Sequence, residues 1–198
     1  MNSLTRAWLT HKHLRKFARV GRRCRFPVPR VNIHGHVEIG DYCRFRDNVT
    51  LRTCGEGRII LAARSGFSWN CYAEARSRIQ VGAMSGIAEN CVLNDTCYHF
   101  CGNELAWRDA PMESRPIVIG EGCFIGSGCH IGPGVTIGDG AVIAHHSIVT
   151  RDIPANEIWG GAPVRFMGHR HKNIPERVRR QVEELIRTQG IAEERYLE

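Results

Sequence analysis

The chain has 198 residues, 42% apolar and 24% charged, which fits one globular domain with terminal extensions and excludes both wholesale disorder and a second large catalytic domain. No apolar run reaches the roughly 18–20 residues that a membrane-spanning helix needs. The formal net charge of +7 is unevenly placed, and its distribution says more than its sum.

Residues 1–30 hold nine bases (Arg6, Lys12, Arg15, Lys16, Arg19, Arg22, Arg23, Arg25 and Arg30) and no acid, so the other 168 residues balance eighteen bases against twenty acids. Leu4, Trp8, Leu14 and Phe17 are spaced to share one face of a short basic helix, which predicts a helical cap over 1–30. Such an arm either packs on the body with its arginines solvated or makes peripheral contact with an anionic membrane. Charge confined to one end, with no recognition motif, does not point to nucleic acid. The start carries no apolar segment of the secretory kind, so the expected compartment is the cytoplasm, with the inner membrane surface within the arm's reach.

From residue 31 onward the chain repeats every six residues. Ile33, Ile39, Phe45 and Leu51 keep that step, as do Leu61 and Phe67, and then Val81, Ile87, Leu93 and His99. After a break the step resumes without a slip at Ile119, Ile125, Ile131, Ile137, Ile143 and Val149, in the run IGEGCFIGSGCHIGPGVTIGDGAVIAHHSIVTRD. Two residues before these positions stands a smaller or β-branched class: Val31, Val37, Val49, Ser65, Ile79, Ser85, Val135, Ala141 and Ser147. Five of the nine cysteines, Cys43, Cys91, Cys97, Cys123 and Cys129, fall in the same slot. Small buried thiols explain them without disulfides, and no C-x-x-C pair calls for zinc.

A period of six fits neither a helix nor a flat strand. It fits a solenoid in which each hexad supplies one short strand and one tight turn, with the large aliphatics stacked along the axis. The repeat supplies about 17 hexads. The longest interruption is a loop over 100–115, and His99 stands at its mouth, where its block otherwise carries an aliphatic. An ionisable group in an aliphatic register, beside a long insertion, marks that corner for chemistry. Beyond the repeat, Val178, Val182, Leu185 and Ile186 predict a C-terminal amphipathic helix over 175–187 within the segment 169–198.

The run from Ile119 to Asp152 resembles the hexapeptide-repeat acyltransferases, and the likeness extends over 31–168. It implies an all-β solenoid, a left-handed parallel β-helix with three hexads per coil and so about five to six coils, assembled as a homotrimer. The segments VLNDTCYHF and ESRPIVIGEGCFIGSGCHIGPGVTIG resemble the galactoside and maltose acetyltransferase branch and its polysaccharide O-acetylating relatives. That resemblance implies acetyl-CoA as co-substrate, a sugar or glycan hydroxyl as acceptor, and His99 as general base, an imidazole being suited to the task near neutral pH. Asn70 matches an asparagine beside that histidine, although a turn explains it equally. Asp95, four residues before His99, is either an orienter of the imidazole or a turn residue. Ser127, Ala144, Thr150, Arg151 and Arg165 match positions at the cofactor groove, with Arg170 near where the branch places a cation for the CoA phosphates. Trp107 and Arg108 are the candidate acceptor contacts. His145 and His146 depart from the family's small residues. No metal is expected, since none of the ten histidines has another five residues on, as the metal-dependent carbonic anhydrase of this fold requires. Acetyl transfer to a sugar amine or a xenobiotic, and a non-catalytic scaffold, stay open as alternatives.

Overall fold

Left-handed backbone recurring at six-residue steps, carried by Gly or Asn at Asn48, Asn70, Asn90, Gly122, Gly128, Gly134 and Gly140 and by larger residues such as Tyr42 and His146, turns a corner after each short strand, and the chain winds into three parallel sheets around one apolar axis. The computed structural model describes residues 14, 16–26, 31–100, 106, 109–170 and 175–189. One sheet runs through His36–Ile39, Arg58–Leu61, Arg78–Val81, Ile117–Ile119 and Thr136–Ile137. The second runs through Arg44–Phe45, Gly66–Phe67, Gly86–Ile87, Phe124–Ile125, Val142–Ile143 and Glu157–Gly160. The third contains Val31–His34, Val49–Thr53, Tyr72–Ala75, Val92–Asn94, His130–Ile131 and Ile148–Val149. Each circuit visits the three sheets in turn, giving about six coils of a left-handed β-helix.

Register follows the sequence slots. Ile59, Leu61, Ile79, Leu93, Ile117, Ile119, Ile125, Ile131, Ile137 and Phe67 are among the largest fully buried side chains, each contributing roughly 1.5–3 kcal/mol of burial. Of the small-residue slots, every one named above is buried except Cys97. The buried hydroxyls are satisfied: Ser85 Oγ donates to the Gly120 carbonyl at 2.6 Å and accepts from the Cys123 amide at 2.9 Å.

One end of the axis is closed by aromatics. Phe17, 8% exposed, packs against Phe26, whose ring stacks on Phe45 with centroids 5.1 Å apart, and Phe45 stacks in turn on Phe67. Arg19–Val20 adds a parallel strand to Glu38–Ile39 just beside this plug. The expected helical cap falls largely outside the described residues. At the other end Arg165–His169 folds back antiparallel on Glu157–Gly160, and the C-terminal helix spans Glu176–Gln189, slightly longer than expected. No helix among the described residues is long and apolar enough to cross a membrane.

Candidate functional site

The regular winding is interrupted where sequence and structure both single out the corner after Val92–Asn94. Asn94 Oδ1 accepts the Thr96 amide at 2.9 Å, an Asx turn that lifts the chain off the coil. The Asp95 carbonyl accepts the Arg115 amide at 2.8 Å and closes the neck of the insertion. Between them Thr96–Tyr98 pairs antiparallel with Met112–Ser114, Cys97 lying opposite Glu113. The excursion therefore begins four residues earlier than the predicted loop. This also corrects the places expected for Cys97 and His99: the period of six ends at Leu93, so neither side chain enters the axis.

Strand alternation gives this hairpin two faces. Cys97, His99 and Glu113 bring their donor atoms within 4.8 Å of one another. Tyr98, Phe100 and Met112 are exposed, and the Tyr98 and Phe100 rings stack with centroids 6.3 Å apart. His99 Nε2 lies 3.1 Å from Glu113 Oε2, while Glu113 Oε1 meets Arg115 Nε at 3.7 Å. Both His99 and Glu113 side chains are 49% exposed, so the pair is open to an incoming molecule. The His99 amide donates to the Pro111 carbonyl at 2.8 Å, which fixes the backbone that carries the imidazole. Glu113 was not singled out from the sequence, because its pairing depends on the hairpin register.

Asp95 has a different set of partners from the one an imidazole orienter needs. Its side chain is fully buried, Oδ1 accepts the Arg76 amide at 2.9 Å and the Thr96 hydroxyl at 2.9 Å, and Oδ2 accepts the Ser77 amide at 2.7 Å. It anchors the foot of the hairpin to the coil below. Asn70 has a positive φ of 58° at a corner and sits in an amide ladder. Asn48 Nδ2 donates to Asn70 Oδ1 at 3.0 Å, and Asn70 Nδ2 donates to Asn90 Oδ1 at 3.2 Å. Trp107 and Arg108 lie outside the described residues.

A second concavity runs along the sheet that contains Gly66 and Gly86, where the missing side chain of Gly86 leaves room. It encloses about 390 Å³ and is lined by Ser68, Gly86, Glu89, Phe124, Ser127 and His145 among others. A shallower groove of about 240 Å³ shares Ser68 and Gly86 with it and continues to Arg44, Arg46 and Arg64. On the floor, Ser127 Oγ donates to Glu89 Oε1 at 3.0 Å, and the Ser127 amide donates to His145 Nδ1 at 2.9 Å. That amide bond requires a lone pair on Nδ1, so the His145 proton sits on Nε2. The Glu89 backbone amide and then the Ser127 hydroxyl hold the Glu89 carboxyl below the usual carboxylate range.

Of the residues expected at a cofactor groove, Ser127 lines this one, and Ala144 lies on the next coil, its amide bonded to the Trp159 carbonyl at 2.8 Å. Thr150, Arg151 and Arg165 are exposed towards the end of the solenoid, with the Arg151 guanidinium 5.4 Å over the Trp159 ring. Arg170 is turned inward instead, donating from one nitrogen to the Gly122 and Gly140 carbonyls at 2.6 and 2.9 Å. His145, noted in the sequence only as a departure, proves to belong to the groove.

Residues 116–151 match the family described as Bacterial transferase hexapeptide (six repeats). Comparison with curated protein sequences returns no match. Among solved structures the chain is similar to AntD, an N-acyltransferase from Bacillus cereus in complex with dTDP and 3-hydroxybutyryl-CoA, at 18% identity and a TM-score of 0.73, covering 91% of this chain and 96% of that one. A variant of AntD in complex with dTDP-4-amino-4,6-dideoxyglucose and coenzyme A gives 18% identity and a TM-score of 0.70 over 90% of this chain and 96% of that one. A maltose O-acetyltransferase from Clostridium difficile 630 is 26% identical, with a TM-score of 0.52 over 80% of this chain and 73% of that one. The AntD likeness speaks for the fold alone. Together with the repeat match, these findings bear out the resemblance to hexapeptide-repeat acyltransferases.

Proposed function

We propose that this hexapeptide-repeat chain, whose class is that of the acyltransferases, moves an acetyl group from acetyl-CoA to a hydroxyl of a sugar or glycan, with His99 as general base. The observation that carries this is the His99–Glu113 pair, Nε2 to Oε2 at 3.1 Å, raised on an insertion from an otherwise regular scaffold. A carboxylate on Nε2–H fixes the tautomer, leaves the Nδ1 lone pair to take a proton, and stabilises the imidazolium that forms. The acceptor oxygen bonds to the thioester carbonyl carbon as its proton passes to Nδ1, the C–S bond breaks, and the proton leaves with CoA as the free thiol.

The groove beside Gly86 and Ser127 takes the CoA arm in this reading, and Arg151 and Arg165 hold its phosphates. Trp107 and Arg108, on the same insertion as His99, contact the acceptor. Assembly as a homotrimer sets the hairpin of one subunit against the groove of the next. The exposed bases Arg19, Arg22, Arg23 and Arg25 extend the arm of 1–30 that would meet an anionic membrane from the cytoplasmic side. An amine acceptor is the second reading, favoured by AntD, whose likeness spans 91% of this chain and whose complexes hold an amino sugar linked to dTDP.

Mass-spectrometric detection of CoA and acylated product, over a panel of sugars, oligosaccharides, nucleotide sugars and their amino counterparts, tests both. Acceptor-dependent CoA release that falls by ~10² to 10⁴ in His99→Ala is expected. No acetyl-CoA turnover with any acceptor removes the transferase reading. Turnover with amino sugars alone selects the second acceptor class.

A further inference from the structure

We propose that Cys97, His99 and Glu113 form a three-ligand site for a soft divalent cation, zinc being the ion that its donors suit, and that zinc bound there blocks the transfer reaction. The binding half stands on the geometry alone. The inhibition half rests on the reading of His99 as general base.

A thiolate, an imidazole and a carboxylate together select zinc over magnesium or calcium, which take oxygen donors. With zinc–ligand bonds of about 2.0–2.3 Å at tetrahedral angles, the ligand atoms stand roughly 3.3–3.6 Å apart. His99 Nε2 and Glu113 Oε2 are 3.1 Å apart, already close to such an edge, and the Cys97 sulfur lies within 4.8 Å of both. The remaining contraction is at most about 1.5 Å, and the Cα–Cβ bond of Cys97 is the one about which its sulfur would turn to close it.

The frame beneath the three donors is built. Cys97 is directly opposite Glu113, His99 follows immediately after the strand with its amide held by the Pro111 carbonyl, and the Thr96 and Ser114 hydroxyls bridge the strands at 2.8 Å. Arg115 Nε, 3.7 Å from Glu113 Oε1, opposes a cation while holding the carboxylate in place, and it leaves Oε2 to face His99. Three protein ligands leave a fourth position open towards solvent, the side from which an acceptor would approach. An ion there binds Nε2 only in the tautomer that carries its proton on Nδ1, and it takes Glu113 from the imidazole, so the Nδ1 lone pair and the carboxylate support needed for proton abstraction are both lost.

The test uses the full chain stripped of metal, with Co²⁺ as spectroscopic probe and Zn²⁺ as competitor. One cobalt per chain with a thiolate-to-metal charge-transfer band, displaced by zinc and lost in Cys97→Ser, is expected. Controls at the other half-buried thiols among the described residues, Cys24→Ser and Cys54→Ser, keep the band. Glu113→Gln weakens zinc binding at least about tenfold. A band that survives Cys97→Ser, or no band at all, overturns the site. In the transfer assay zinc slows the parent, while Cys97→Ser keeps the basal rate and needs at least tenfold more zinc for the same inhibition. Equal inhibition in both, or a rate that rises with zinc, overturns the inhibition half. A chain that binds cobalt through Cys97 but turns over no acceptor leaves the site standing and removes the transferase reading instead.

Discussion

Replacing Asp95 separates a structural anchor from a catalytic partner. The carboxylate is fully buried and accepts two backbone amides, Arg76 at 2.9 Å and Ser77 at 2.7 Å, besides the Thr96 hydroxyl. Asp95→Ala strands both amides in a dry site. At ~1.5–3 kcal/mol for each hydrogen bond to a charged group, the loss is about 3–6 kcal/mol, a large part of the roughly 5–15 kcal/mol that stabilises a domain. For a chain of this length each kcal/mol lowers Tm by roughly 2–4 °C, so a fall on the order of 10 °C is expected. Asp95→Asn keeps the shape but turns one NH₂ towards a backbone N–H, and about half that loss follows. Guanidinium unfolding and thermal melts measure the stability, and transfer rates are taken well below the variant's Tm. An Asp95→Asn chain within about 0.5 kcal/mol of the parent whose transfer rate nonetheless collapses would refute the anchor argument, and would return Asp95 to the imidazole.

Four further outcomes are expected. Asn70→Gly relieves a left-handed backbone at φ 58° while giving up two ladder hydrogen bonds, so stability changes by less than about 1 kcal/mol and acetyl transfer is retained; a hundredfold loss at unchanged stability places Asn70 at the reacting centre. Gly66→Ala sets a Cβ against the Arg44 carbonyl oxygen and costs about 1–3 kcal/mol, whereas Gly86→Ala opens onto free space and melts like the parent. The bulkier Gly86→Leu fills the groove, raises KM for acetyl-CoA, and leaves Tm alone if the CoA arm lies there. In thiol labelling of the native chain read by peptide mass spectrometry, Cys54 and Cys97 react before Cys43 and Cys123, whose thiols burial pushes up; early labelling at Cys43 or Cys123 contradicts the packed axis.

The limits of the sequence show at His99. A period of six in which aliphatics recur with small residues two positions earlier fits neither a helix nor a flat strand, and it fits a flat-sided solenoid because both classes then face one axis. For that reason the stacked core was legible from Ile33 to Val149, as was the corner at which the winding breaks, while the number of sides and so the coil count came from the resemblance to the hexapeptide-repeat acyltransferases. Periodicity is a local property, and it ends where the chain leaves the coil. Whether Cys97 and His99 continue inward, as their register indicates, or stand out on a hairpin depends on Asn94 and Asp95 finding partners at Thr96, Arg76 and Ser77. Glu113 reaches His99 only because Met112–Ser114 returns antiparallel with Cys97 opposite it, a register that the thirteen residues between His99 and Glu113 do not encode in any repeat. The groove has the same origin: Gly86, Ser127 and His145 are far apart in sequence and adjacent only because successive coils stack one above another. Sequence alone determined the solenoid, since burial of one repeated stripe dictates it. Tertiary structure alone decided which donors face each other, since that follows from the coil stacking and hairpin register set by hydrogen bonds across the chain.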